Sequence, residues 1–184
     1  MKRLLNLSIV LLLQMSCNSQ DVSSELRNKL NFCIDSNVNS KIVEAHPAIE
    51  DFDLYNIMIQ FENTFFRDYD KKKWLELINE LSNSPSKYDN LGINYNKFLE
   101  RKGLILNDYL VDIIYNCPDA SMTSINNYKD LPIYDRMKII DSEFQVSKPI
   151  RTLYDFIEAT TEDEFNHIEF KTPIFLMYVA YLNR

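Results

Sequence analysis

Glycine is nearly missing from this 184-residue chain, which carries only Gly92 and Gly103. So few glycines cannot build a phosphate-cradling loop, a Gly-x-Ser-x-Gly elbow or a series of tight primed hairpin turns. P-loop, Rossmann and kinase-type sites are thereby excluded. Histidine is equally scarce, with His46 and His167 alone, so few bases stand ready to activate a nucleophile. Glu164-x-x-His167 has a metal-like spacing, but carboxylate di-metal bundles need that motif twice. His46 has no glutamate three residues before it. Neither a metal nor an organic cofactor is expected. Long apolar runs are lacking as well: the stretch from Leu4 to Leu13 is about half of the ~20 residues that a membrane-spanning helix requires.

What that stretch does offer is a secretory signal. Lys2 and Arg3 precede it, and Gln14-Met15-Ser16-Cys17 follows it. A small residue directly before a cysteine at the end of the apolar run resembles the lipobox of bacterial lipoproteins, in a Bacteroidota-like form. Gln14 stands where the commonest lipobox has leucine. The resemblance implies a signal peptide over 1–16, cleavage before Cys17, acylation of Cys17 with palmitate-type chains, and a lipidated tether over 17–22. Two or three acyl chains anchor a protein stably where one does not. Asn18, in place of an aspartate after the cysteine, implies the outer membrane. The single acidic residue of Asn18-Ser19-Gln20-Asp21 implies a periplasm-facing location.

The chain has 20 basic and 27 acidic residues, for a formal charge of −7. Residues 1–16 hold two of the basic ones and none of the acidic ones, so a chain beginning at Cys17 has 18 against 27 and carries −9. Such a chain repels nucleic acid, and its field favours a basic protein partner. The competing reading of the charge is plain solubility. With Cys17 acylated, Cys33 and Cys117 remain as an even pair. Either they form a disulfide, whose 84-residue loop contributes roughly 4 to 5 kcal/mol in the chain-entropy estimate, or they are two buried thiols.

From residue 23 to 184 the pattern is that of one all-α domain of about seven to nine helices. Leu26, Leu30, Cys33 and Ile34 mark a first helix ending at Asn37-Val38-Asn39-Ser40. Two adjacent apolar stripes after Pro47, one through Phe52, Tyr55 and Ile59 and one through Leu54, Met58 and Phe61, predict a buried central helix. Trp74 to Leu81 predict a third, stopped by Ser82-Asn83-Ser84-Pro85. Leu91–Lys102, closed by Gly103, and Leu104–Asn116, closed by Pro118, follow, with 118–127 read as a loop. Asp130 opens a sixth helix reaching about Phe144, with weak β-alternation over 139–150 as the alternative there. Thr152–Ala159 form a seventh. Thr161 with Glu164 fits a capping box, and Thr172-Pro173 reads as the start of a helix over Ile174–Leu182.

Candidate site residues are few. Glu50, Asp53 and Glu62, on the expected central helix, are the carboxylates to inspect for acid–base chemistry, since burial would raise their pKa. Tyr88, Tyr95 and Tyr128 lie in polar contexts suited to a partner-binding face. Lys71-Lys72-Lys73-Trp74 either meets anionic headgroups or offsets the dipole of the preceding helix while Trp74 packs inside. These residues add up to no catalytic constellation. The expectation is a membrane-anchored envelope lipoprotein, not an enzyme, acting as a protein-binding module, in its sharpest form an immunity or inhibitor protein against a cationic effector or toxin. The alternatives are an accessory subunit of an outer-membrane secretion, motility or uptake complex, and a carboxylate-based hydrolase.

Overall fold

The computed structural model describes residues 24–46, 48–84, 88–104, 106–130, 134–135, 138 and 149–183. The expected signal segment and tether, Cys17, and almost all of the expected sixth helix and its β alternative lie outside them. The described residues are all-α, without a strand, in eight helices. These are α1 (24–45), α2 (Leu54–Phe65), α3 (Lys71–Asn83), α4 (Asp89–Arg101), α5 (106–123), α6 (Pro149–Ala159), α7 (Glu162–Phe165) and α8 (Ile168–Leu182), with a 3-10 turn at Tyr128–Asp130. No described helix is long and apolar enough to cross a membrane.

Local chemistry accounts for several helix ends. Asp53 and Asp70 accept the Asn56 and Lys73 amides at 3.0 and 2.8 Å, capping α2 and α3. Thr161 and Glu164 form the reciprocal capping box of α7. The α4 helix ends in a Schellman motif: Leu104 N–H reaches the Leu99 carbonyl at 3.0 Å and Gly103 N–H the Glu100 carbonyl at 2.9 Å. Gly103 supplies the left-handed φ of 87° that this motif requires.

The central element is α8, not the helix after Pro47. Phe170 and every residue from Thr172 to Val179 are buried, so α8 has no polar face beyond Lys171. It packs against α2, α4, α5, α6 and α7. One turn of α2 shows why it is less central than its two stripes suggest: Ile57, Met58 and Phe61 are buried while Ile59 faces out. Rings from α2, α3, α4 and α8 and from the Phe66–Tyr69 turn make an aromatic core. Trp74 lies 4.6 Å from Phe66 and 5.3 Å from Phe175, centroid to centroid. Glu62 pairs with Lys171 at 2.5 Å and ties α2 to α8.

Four expected boundaries are displaced. α8 begins at Ile168, so Pro173 lies inside it; Phe170 and Lys171 amides already turn back onto the His167 carbonyl at 3.1 and 3.2 Å. α6 begins at Pro149, where proline suits a first turn. Most consequentially, neither Asn37-Val38-Asn39-Ser40 nor Pro118 stops a helix. Each falls at a π-turn, Asp35–Asn39 in α1 and Asp112–Asn116 in α5, and the helix runs on beyond it. The wider turn before Pro118 relieves the clash between its ring and the preceding carbonyls. The segment expected as a loop after Pro118 is therefore helical to Thr123.

Candidate functional site: an acid-lined groove at the first helix

The π-turn of α1 and the chain leading into α2 form the walls of an open groove of about 560 Å³. Asp35, Asn39, Ser40, Val43 and Glu44 line it from α1, and Asp51, Phe52 and Asp53 from the α2 approach. Asn39 builds the junction. It is 9% exposed; its Oδ1 accepts the buried Leu54 amide at 3.1 Å, and its Nδ2 donates to Asp35 Oδ1 at 2.7 Å. Ser40 Oγ donates to the Asp35 carbonyl at 2.7 Å. Phe52, buried, forms an apolar part of the wall.

Four of the eight lining residues are carboxylates, all exposed, and none is basic. Their field reaches a neighbour: the Tyr55 hydroxyl is held protonated far above the ordinary tyrosine range, first by burial and then by Glu169, Asp35 and Asp53. Four carboxylates gathered in an open groove with no basic residue make an arrangement suited to attracting positive charge. Among the described residues no group of three or more His, Cys, Asp or Glu could hold a metal.

The residues singled out in the sequence are dispersed. Asp53 lines the groove, with its side chain engaged as the α2 cap. Glu50 is exposed and outside the lining, and Glu62 is committed to Lys171. Tyr88 and Tyr95, at 7% and 5% exposure, belong to the core and offer no binding face. Tyr88 gives its hydroxyl to Glu80 at 2.8 Å, and burial followed by that bond pushes its pKa up to about 12. Tyr128 is half-buried, edge-on to Tyr134 at 5.6 Å.

Cys33 and Cys117 are joined in a disulfide, Cα atoms 5.5 Å apart. Trp74 is fully buried, and Lys71 caps the end of α6, its Nζ 3.0 Å from the Glu158 carbonyl and 2.5 Å from that of Thr160. Lys73 Nζ, in turn, donates to the Asp68 carbonyl at 2.5 Å, in the turn that follows α2. His167 Nδ1 meets an Arg27 guanidinium nitrogen at 2.9 Å, which joins α1 to the start of α8. The groove residues that the sequence reading passed over are Asp35, Asn39, Ser40, Glu44 and Asp51. The available signal was the Asp-x-x-x-Asn spacing of 35–39, which recurs at 112–116.

Fold and groove together define an all-α domain with an acidic recess beside its first helix. No known protein family matches the chain, and no curated protein or solved structure matches it.

Proposed function

We propose that this protein is a lipid-anchored envelope protein that binds a basic protein partner in the groove beside α1, as an immunity or inhibitor protein binds a cationic effector. The observation that carries the reading is the groove's lining of four exposed carboxylates without a basic residue. A recess of that kind orients a partner's lysine or arginine side chains and speeds encounter at low salt. The lipobox-like Ser16-Cys17 supports the anchor and the envelope location, with the −9 charge of the chain from Cys17 adding to the field.

The test has two arms in the native host. Labelling with an alkyne fatty acid should mark the wild type and not Cys17→Ala; an unlabelled wild type removes the anchor. Co-purification at low and high salt should yield a basic partner that is released as salt rises. That partner should be lost with Glu44→Lys/Asp51→Lys. Retention at high salt, or in the charge-reversed variant, refutes binding through the groove.

A further inference from the structure

The two helices joined by the disulfide each contain one π-turn, and the turns share a construction. Each opens on Asp and closes on Asn: Asp35–Asn39 and Asp112–Asn116. In each the Asn amide donates to the Asp carboxylate four residues back, at 2.7 Å in both. In each the following amide, of Ser40 or Cys117, reaches the carbonyl of that same Asp. The two turns pack on one another. Cys33 lies two residues before the first, and Cys117 directly follows the second.

The disulfide is also wired to the groove. Asn37, inside the first π-turn, donates its amide to Cys33 Sγ at 3.2 Å. Asp35 and Asn39, at the two ends of that turn, line the groove, and Asn39 holds the Leu54 amide across it. A π-turn is a one-residue insertion in an α-helix. Were it to revert to α-helix, the residues beyond it would rotate by about 100° relative to Cys33. Asn39 and Glu44 would then leave their present places in the groove wall.

We propose that the Cys33–Cys117 bond is a redox-addressable clamp on the groove, opened at Cys33 by a dithiol reductant. The attacking thiolate meets Cys33 Sγ, because Cys33 is half-buried whereas Cys117 is 1% exposed. The Cys33–Cys117 S–S bond breaks, its electron pair leaves on the Cys117 sulfur, and that sulfur takes a proton from water. Cys33 is now in a mixed disulfide with the reductant. The reductant's second thiolate attacks its own bonded sulfur and expels the Cys33 thiolate beside the Asn37 amide, and this thiolate is protonated in turn. The protein gains two electrons and two protons as two thiols, and the dithiol becomes a cyclic disulfide. With the bond gone, the paired π-turns lose their covalent tie and the groove wall is released. The regulatory meaning of this release rests on the binding function proposed above; the clamp itself does not.

The experiment takes the full oxidised chain through a dithiothreitol titration, trapping thiols with iodoacetamide and reading the peptides of Cys17, Cys33 and Cys117 separately by mass spectrometry. Amide exchange at Ser40 and Leu54 and Trp74 fluorescence are followed alongside. The expected result is reduction while Trp74 remains buried, with mixed disulfide trapped on Cys33. Exchange at Ser40 and Leu54 should become about tenfold faster, and amides of α3 and α6 should be unchanged. Asn37→Ala, which leaves the disulfide in place, should slow release of the Cys33 thiolate severalfold. Reduction that occurs only with loss of the Trp74 signal, or a reduced chain with unchanged exchange at both amides, overturns the clamp. A lysine octapeptide serves as the groove probe, expected to bind the oxidised chain and to weaken on reduction. Failure of the oxidised chain to bind it counts against the binding function, while unchanged amide exchange counts against the clamp.

Discussion

Asn39 and Asn116 occupy equivalent places in two π-turns, and comparing their removal isolates what Asn39 does for the groove. Both amides face an Asp carboxylate at 2.7 Å. Only Asn39 also satisfies a buried amide, that of Leu54, 15 residues away. Asn39→Ala leaves that N–H without an acceptor, which costs about 1 to 3 kcal/mol. Better helix propensity returns up to ~0.7 kcal/mol. With the ~0.2 to 0.5 kcal/mol of its own pair to Asp35, the net loss is about 0.5 to 3 kcal/mol, or roughly 1 to 12 °C in Tm for a domain of this size. Asn116→Ala loses one exposed i,i+4 pair, ~0.2 to 0.5 kcal/mol, against a similar gain in propensity, and should lie within about 0.5 kcal/mol of wild type. Asn39→Asp keeps an acceptor for Leu54 but sets two carboxylates together. Like charge raises their folded-state pKa, so the stability it withholds at neutral pH returns as pH falls through ~4. Urea denaturation of the four proteins at pH 7 and pH 4 measures all of this. Equal effects of Asn39→Ala and Asn116→Ala would refute the assignment of Asn39 as the joint between α1 and α2.

Gly92→Ala should destabilise by about 1 to 2 kcal/mol in thermal melts, because overpacking outweighs the propensity gained: an added Cβ would meet the Leu182 carbonyl oxygen at 2.7 Å and its Cβ at 2.8 Å. A raised Tm would show that α4 and α8 approach less closely. Lys171→Met should cost about 1 to 3 kcal/mol by leaving Glu62 unpaired, between the values for exposed and fully buried pairs, and the double variant with Glu62→Leu should recover most of it; failure of that rescue in denaturation curves would mean that Lys171 acts through packing on Phe165. Burial raises the pKa of Tyr88 to about 12 and pushes Tyr55, Tyr95 and Tyr178 upward too. Their neutral forms therefore contribute stability that is complete below pH ~10, the unfolded value, and lost at higher pH, for Tyr88 as pH rises through about 12. Phenolate absorbance at 295 nm should show these tyrosines ionising together with unfolding, and a titration near pH 10 with the fold intact would contradict their burial.

Where a helix is made by apolar spacing and a side-chain cap, its sequence announces it. Trp74, Leu77, Ile78 and Leu81 behind Asp70, Thr161 with Glu164, and Gly103 after α4 are all legible because each signal acts within a few residues. Asn39 and Ser40 misled because such side chains compete with the backbone for hydrogen bonds and favour helix ends; here the amide of Asn39 and the hydroxyl of Ser40 are spent on Asp35. Pro118 misled because it follows a π-turn, whose neighbour in space is the π-turn of α1, across a disulfide that spans 84 residues of chain. The polar neighbours of Tyr95, Asn94 and Asn96, suggested a surface; in α4 they point away while the ring packs among Phe61, Phe65 and Tyr178. Pro173 and the unbroken apolar face of α8 show the same limit, since a helix buried on every side has no periodicity to read.

The spatial distribution of charge is what the sequence conceals most completely. An excess of acidic residues can keep a protein soluble when it is spread evenly, and composition alone does not distinguish spreading from concentration. In the fold, Asp35 and Glu44 from α1 meet Asp51 and Asp53 across the groove, although the segment between them contains His46 and several uncharged residues. The meeting depends on Asn39, which fastens Leu54 against α1, and on a π-turn that sets the direction of the chain from Ser40 onward. The placement of these carboxylates thus leans on two hydrogen bonds of a single asparagine, at the end of a turn that begins two residues after the disulfide-bonded Cys33.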